Sequence, residues 1–125
     1  MKLDLLAISA HPDDAELGCS GALMVALSKG KRAGIVDLTR GEMGTRGTVA
    51  IRDQEAADAA QIMGLTTREN LNFKDIYFTN DDTHQIEVVK MIRKYQPEVI
   101  ITGAIRDRHP DHAKGSALVK QACFM

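Results

Sequence analysis

The apolar run Leu3 to Ile8, broken only by Asp4, ends at Ser9-Ala10-His11-Pro12-Asp13-Asp14-Ala15-Glu16, and the chain then continues with small and apolar residues from Leu17 to Leu27. No other feature limits the fold as tightly. A nearly unbroken apolar strand suits the centre of a parallel sheet covered on both faces. Pro12 biases His11 away from helical angles, so the strand stops there. The apolar residues that follow read as a buried helix, with Asp13 or Asp14 as its cap and Asp13 with Glu16 at capping-box spacing. The same signature returns near the other end, where Val99 to Thr102 precedes His109-Pro110-Asp111-His112.

Between these two turns, strand and helix patterns alternate. The first helix runs to about Ser28, with Gly30 as its left-handed end. Ala33 to Thr39 reads as a second strand. Arg40 to Ala50 is a loop holding Gly41, Gly44 and Gly47, and it is not a dinucleotide fingerprint. Ile51 to Met63 reads as a helix whose inner stripe is Ala56, Ala59, Ala60 and Met63, closed by Gly64. Asn70 to Phe73 makes a short third strand. Asp81 or Asp82 opens a helix to about Tyr95, with Ile86, Val89 and Ile92, and with them Val88 and Tyr95, on its apolar face. Pro97 stops it, Val99 to Thr102 is the fourth strand, and the last helix begins near Asp111.

Such alternation predicts an α/β fold over residues 1–125 as one domain. It is a Rossmann-like, doubly wound parallel sheet with helices on both faces and right-handed crossovers. In the common order 3-2-1-4, ligands bind at the carboxyl ends of the strands, at the switch point between strands one and four. That order brings the two His-Pro-Asp turns together.

The turns contain three of the four histidines in the chain, together with Asp13, Asp14, Glu16 and Asp111. Two histidines and a carboxylate form a common zinc set, and three protein ligands leave a position for water. A further carboxylate beside the metal can act as general base. Taken singly, Asp13 and Asp14 read equally well as helix caps, and His109 or His112 as a loop residue. Two such turns at two strand ends are hard to explain by capping. His84 reads as solvated and Glu16 as a cap or supporting residue.

Composition excludes several classes. The formal net charge of −1 offers nothing to nucleic acid or to an anionic membrane surface. No apolar run approaches the roughly 18 residues of a membrane span, and no leader pattern precedes Asp4. Cys19 and Cys123 form no close-spaced pair and read as buried free thiols of a cytoplasmic protein. The absence of Trp argues against an aromatic platform for bases or sugars.

Ala10-His11-Pro12-Asp13-Asp14-x-Glu16, Arg40-Gly41-Glu42-x-Gly44-Thr45-x-Gly47, Arg52-x-x-Glu55-Ala56 and Arg106-Asp107-Arg108-His109-Pro110-Asp111-His112 together resemble the PIG-L/LmbE-like family of zinc-dependent de-N-acetylases. Within it, the chain looks most like the branch that deacetylates N-acetylglucosaminyl-malate in bacillithiol synthesis. The resemblance implies that His11, Asp14 and His112 bind Zn2+, with Fe2+ as the other candidate. It implies Asp13 as general base and His109 as the group that stabilises the oxyanion or protonates the leaving amine. It implies Asp111 as the residue orienting His109, and Arg52 as the one that holds the sugar. Arg106 joins a cationic rim suited to the carboxylates of a malate-like aglycone, so the partner is a small amino-sugar conjugate. Family members run well beyond this length. The expectation is therefore that the C-terminal part of the family fold is missing, that apolar surface is exposed where it would pack, and that the chain forms a homo-oligomer. The competing readings are a metal-dependent hydrolase of another bond, such as a phosphoester, and a metal-binding module without turnover.

Overall fold

The computed structural model describes residues 1–125. Its elements run β1 (Leu5–Ser9), α1 (Asp14–Ser28), β2 (Ala33–Thr39), α2 (Val49–Met63), β3 (Thr67–Phe73), α3 (Asp82–Tyr95), β4 (Val99–Thr102) and α4 (Pro110–Phe124). All strand pairs are parallel and the order is β3-β2-β1-β4, as the alternation predicts. Register aligns Ser9 of β1 with Asp37 of β2, and Ile8 with Thr102 of β4. The loops after β1 and β4 therefore leave the sheet side by side.

Strand alternation divides the core between the two faces of the sheet. Leu6 and Ile8 of β1, with Val36 and Leu38 of β2, pack with Val88 and Tyr95 of α3 and Leu118, Val119 and Ala122 of α4. Ala7, Ala33 and Ile35 face the other way, against Ala15 and Leu23 of α1 and Met63 of α2. The small residues let the helices approach this second face closely.

Several local expectations differ from the structure. β3 begins at Thr67 rather than Asn70, because Arg68 and Glu69 hold strand geometry through ion pairs instead of apolar contacts. No capping box closes the start of α1: Asp13 makes no side-chain cap, Asp14 accepts the His11 N–H, and Glu16 turns to Arg68. α1 buries only Ala15 and Leu23, and leaves Leu17, Met24 and Val25 exposed. His84 is not fully solvated; its ring lies edge-on to Phe73 and its Nδ1 meets Asp81, which also caps α3. Of the thiols, Cys19 is half-buried and Cys123 exposed, so neither is the buried cysteine the composition suggests. No helix is long and apolar enough to cross a membrane.

Candidate metal centre and active site

The centre is assembled at the carboxyl end of β1. Thr39 at the end of β2 pins the exit of that strand, with its N–H and Oγ1 both donating to the Ala10 carbonyl at 3.0 and 2.9 Å. His11 follows at once and is buried. Its Nδ1 lies 3.3 Å from Asp14 Oδ2, and the same oxygen is 3.2 Å from His112 Nε2 on the first turn of α4. These three donor atoms lie within 4.8 Å of one another. Zinc bonds of about 2.0–2.2 Å set at tetrahedral angles separate neighbouring ligand atoms by about 3.3 Å. The donor set suits a divalent cation in chemistry, and both distances to Asp14 Oδ2 match that spacing.

The remaining ring nitrogens strengthen that fit. A metal-bound imidazole almost always gives its other nitrogen to a carboxylate or carbonyl, which fixes its tautomer and orientation. Here His11 Nε2 meets Asp111 Oδ2 at 2.9 Å and Asp75 Oδ1 at 3.0 Å, and His112 Nδ1 meets Asp107 Oδ2 at 2.9 Å. A second grouping, His11 with His109 and Asp111, uses the Nε2 side of the same ring. It is the weaker candidate. Asp111 is 1 % exposed and its Oδ2 is already engaged by the Ile76 N–H, whereas Asp14 and His112 line an open cavity of about 390 Å³.

Charge in the cluster is set by opposing effects. Burial works to lower the His11 pKa, but hydrogen bonds to Asp14 and Asp111 and the charge of Asp75 outweigh it and push the value up to about 9. Burial works to raise Asp14, and the hydrogen bonds and charge of His11, with the charge of His112, carry it below the usual carboxylate range. Asp13 moves the opposite way: burial and then the adjacent Asp14 carboxylate raise it, with Arg52 opposing. The two neighbouring carboxylates are thus driven apart, the pattern expected of one anion and one proton acceptor.

A pH prediction follows for the metal-free chain. The folded His11 value of about 9 lies above its ordinary 6.5, so its stabilisation is complete below pH 6.5 and is lost as pH rises through 9. Tm of the chelator-treated protein should fall across that window. In zinc-saturated protein a cation takes the proton's place, so the His11 contribution to that slope should vanish. Parallel thermal melts check this, and superimposable slopes would contradict it.

The structure brings together His11, Asp13, Asp14, His109, Asp111 and His112, and places two of the expected residues differently. The Asp111 carboxylate bonds His11, not His109; it is the Asp111 backbone N–H that donates to His109 Nδ1, making His109 the cap of α4. Pro110 at the first helical position supplies no N–H, so the cap bond falls to Asp111 and turns its carboxylate inward. Arg52 donates to the Gly41 and Pro12 carbonyls at 3.0 and 2.9 Å, and so braces the glycine-rich loop against the first His-Pro-Asp turn. Gly41, at φ +64°, holds a left-handed backbone that strains other residues, and a Cβ there would also displace the Arg52 guanidinium from its carbonyls. Arg106 is exposed, in the loop between β4 and α4, and makes no ion pair. Sequence reasoning missed Asp75, which also accepts the Met43 N–H at 3.0 Å and donates its own N–H to Glu42. It is a lone Asp after an outer strand, and only the loop's path brings it to His11.

Comparison with known proteins places this geometry. The family pattern described as PIG-L, GlcNAc-PI de-N-acetylase, matches residues 6–123. The uncharacterized deacetylase YaiS of Escherichia coli K12 is 36% identical over 114 residues, covering 86% of this chain and 61% of that protein. The crystal structure of the conserved protein TT1542 from Thermus thermophilus superposes with a TM-score of 0.93 at 43% identity, over 98% of this chain and 56% of that one. An N,N'-diacetylchitobiose deacetylase from Pyrococcus horikoshii, solved with its inhibitor, gives 0.87 at 26% identity, over 94% of this chain and 48% of that one. The chain thus spans roughly half to three-fifths of the length of these relatives.

Proposed function

The chain belongs to the GlcNAc-PI de-N-acetylase (PIG-L) family, and on that premise we propose that it takes part in metal-dependent hydrolysis of the N-acetyl group of an N-acetylglucosaminyl conjugate. What supports this most is the convergence of His11 Nδ1, Asp14 Oδ2 and His112 Nε2, with Asp14 and His112 lining an open cavity and a second carboxylate, Asp13, interacting with Asp14. Zn2+ suits two imidazoles and one carboxylate, and Fe2+ is the other candidate. When bound, such an ion would supply a Lewis acid and lower the pKa of a coordinated water to about 7.

The chain's own groups then divide the proton work. Asp13, with its raised pKa and partly open carboxylate, accepts the proton of the attacking water. His109 uses Nδ1 to accept the Asp111 N–H, so its Nε2 carries the hydrogen, and its ring stacks on that of His112 with centroids 4.9 Å apart. The Nε2–H group donates a hydrogen bond to the developing oxyanion. The C–N bond breaks, the nitrogen leaves as a primary amine carrying the proton that Asp13 took from water, and the acyl group leaves as acetate. Asp111 and Asp107 hold the rings of His11 and His112 in orientation. Arg106, exposed and unpaired, is the arginine placed to meet a carboxylate on the aglycone, and N-acetylglucosaminyl-malate is the substrate that matches it. Arg106→Glu should raise KM with little change in kcat; an unchanged KM would remove it from the substrate site.

The test is release of primary amine from N-acetylglucosaminyl-malate and from N,N'-diacetylchitobiose, with chelator and after Zn2+ is restored. Amine release that stops with chelator and returns with metal is the expected result. Metal binding without amine from either compound would leave a metal-binding module in place of an enzyme. Exposed Leu17, Val25, Val99 and Ile105 also favour self-association. Sedimentation velocity should show larger species as concentration rises, and a monomer throughout would contradict it.

A further inference from the structure

Away from the metal donors, Arg68 of β3 lies in a polar network that the proposed chemistry does not use. Its side chain is 8 % exposed, and its guanidinium makes five hydrogen bonds. Nε and Nη2 grip Asp37 of β2 at 2.8 and 3.1 Å; Nη1 and Nη2 grip Glu16 of α1 at 3.0 and 3.1 Å; Nη1 also reaches the Ala56 carbonyl of α2 at 3.3 Å. Every N–H that an arginine carries is used. One cation therefore ties two strands and two helices together. Paired forks of this kind fix orientation as well as position, which a lysine cannot do.

Glu16 occupies the first turn of α1, two residues after Asp14 and three after Asp13. That turn carries backbone strain. Asp13 has φ 126° and ψ −24°, a conformation that L side chains rarely adopt, and it makes no side-chain cap. Strain of this sort persists only where the surroundings over-determine it. Three bonds to backbone carbonyls hold the turn locally: Asp14 N–H to His11 O at 3.2 Å, Leu17 N–H to Asp13 O at 2.9 Å, and Arg52 to Pro12 O at 2.9 Å. Glu16, between Asp14 and Leu17, is where α1 is fastened to the sheet by charge.

We propose that Arg68 is a positioning residue: through Glu16 it locks the first turn of α1 and so holds Asp13 in its strained conformation and Asp14 at the metal donors. The inference rests on the metal-site reading given above. Asp37 is the buried anchor that fixes the guanidinium, and Glu16 is the arm that transmits its position.

The test uses Glu16→Gln and Glu16→Asp, since Glu16 is partly exposed and both variants should fold. The first loses the charged fork, and the second keeps the charge but falls short of the guanidinium. Glu69→Gln is the control, because it removes the charge that Lys94 and Tyr95 of α3 meet on the same strand as Arg68, without touching the turn. Hydrogen exchange of the metal-free proteins is read at the Asp14 and Leu17 amides against the rest of the chain. Zn2+ affinity is read by competition with a chromophoric chelator, well below Tm. Both Glu16 variants should raise exchange at those two amides by about tenfold beyond the chain-wide change. They should also weaken Zn2+ binding by about 10–100-fold, the range seen when a supporting partner is lost. The control should show neither effect. Exchange that rises uniformly, or local loosening with unchanged Zn2+ affinity, would reduce the network to a structural brace and overturn the proposal. A wild-type chain that binds no Zn2+ would instead sink the metal-site reading, and the exchange data would still decide whether Arg68 holds the turn.

Discussion

Asp13→Asn should lower kcat by about 10²–10⁴-fold, the range typical for loss of a positioned general base. Zn2+ affinity should stay close to wild type. The substitution keeps the shape of the side chain and removes its capacity to take a proton. Asp13 supplies no oxygen to the group formed by His11, Asp14 and His112, and burial with the adjacent Asp14 charge raises its pKa, whereas the histidines around Asp14 lower that one. The two adjacent carboxylates can therefore be separated by experiment, with Asp13 tested through turnover and Asp14 through metal binding. The check is steady-state amine release from metal-saturated protein, alongside chelator competition. Equal damage to metal binding from Asp13→Asn would mean that Asp13 is a ligand, and the assignment of base and ligand would have to be exchanged or abandoned.

His112→Ala should have the opposite signature, losing metal first and activity as a consequence. Structural zinc sites with four ligands gain about 10–16 kcal/mol on binding, so one ligand accounts for on the order of 3 kcal/mol, or about 10²-fold in affinity. His112 also holds Asp107, and its Nε2 helps draw the Asp14 carboxyl to low pKa, so its removal loosens both neighbours. Excess Zn2+ should restore part of the activity. His109→Ala should not respond to added metal in this way, because His109 lies outside the favoured donor group. A His112→Ala chain that binds Zn2+ as tightly as wild type would remove the proposed centre, and with it the reading of the second His-Pro-Asp turn.

Much of this centre was legible from the residues alone. Apolar runs of strand length alternating with helical patterns led to a parallel sheet in the order 3-2-1-4, and that order placed the turns after β1 and β4 side by side. Hydrophobic periodicity and Pro punctuation are local signals, and backbone sterics translate them directly into elements. The order of the strands comes from the commonest doubly wound pattern rather than from residues, and the structure has that order. The meeting of His11 with His112, from opposite ends of the chain, is a consequence of topology.

The partners of each side chain were another matter. Asp111 sits close to His109 in sequence, yet its carboxylate turns to His11 because Pro110 leaves the cap bond to the Asp111 backbone. Asp75 reaches His11 from an outer strand by a loop path that no spacing encodes. Glu16 looks like half of a capping box, but a buried guanidinium fully engaged between two carboxylates outcompetes a solvent-exposed cap. Arg68 and Glu69 kept the start of β3 hidden from a search for apolar runs, since ion pairs there replace hydrophobic contact. The sequence by itself determined the strands and helices, the parallel class of the sheet and the residues that end its strands, because local propensity and crossover handedness govern those. Only the tertiary structure decided which carboxylate serves which imidazole, because hydrogen-bond partners are chosen in three dimensions by burial, competing donors and a few ångströms of loop.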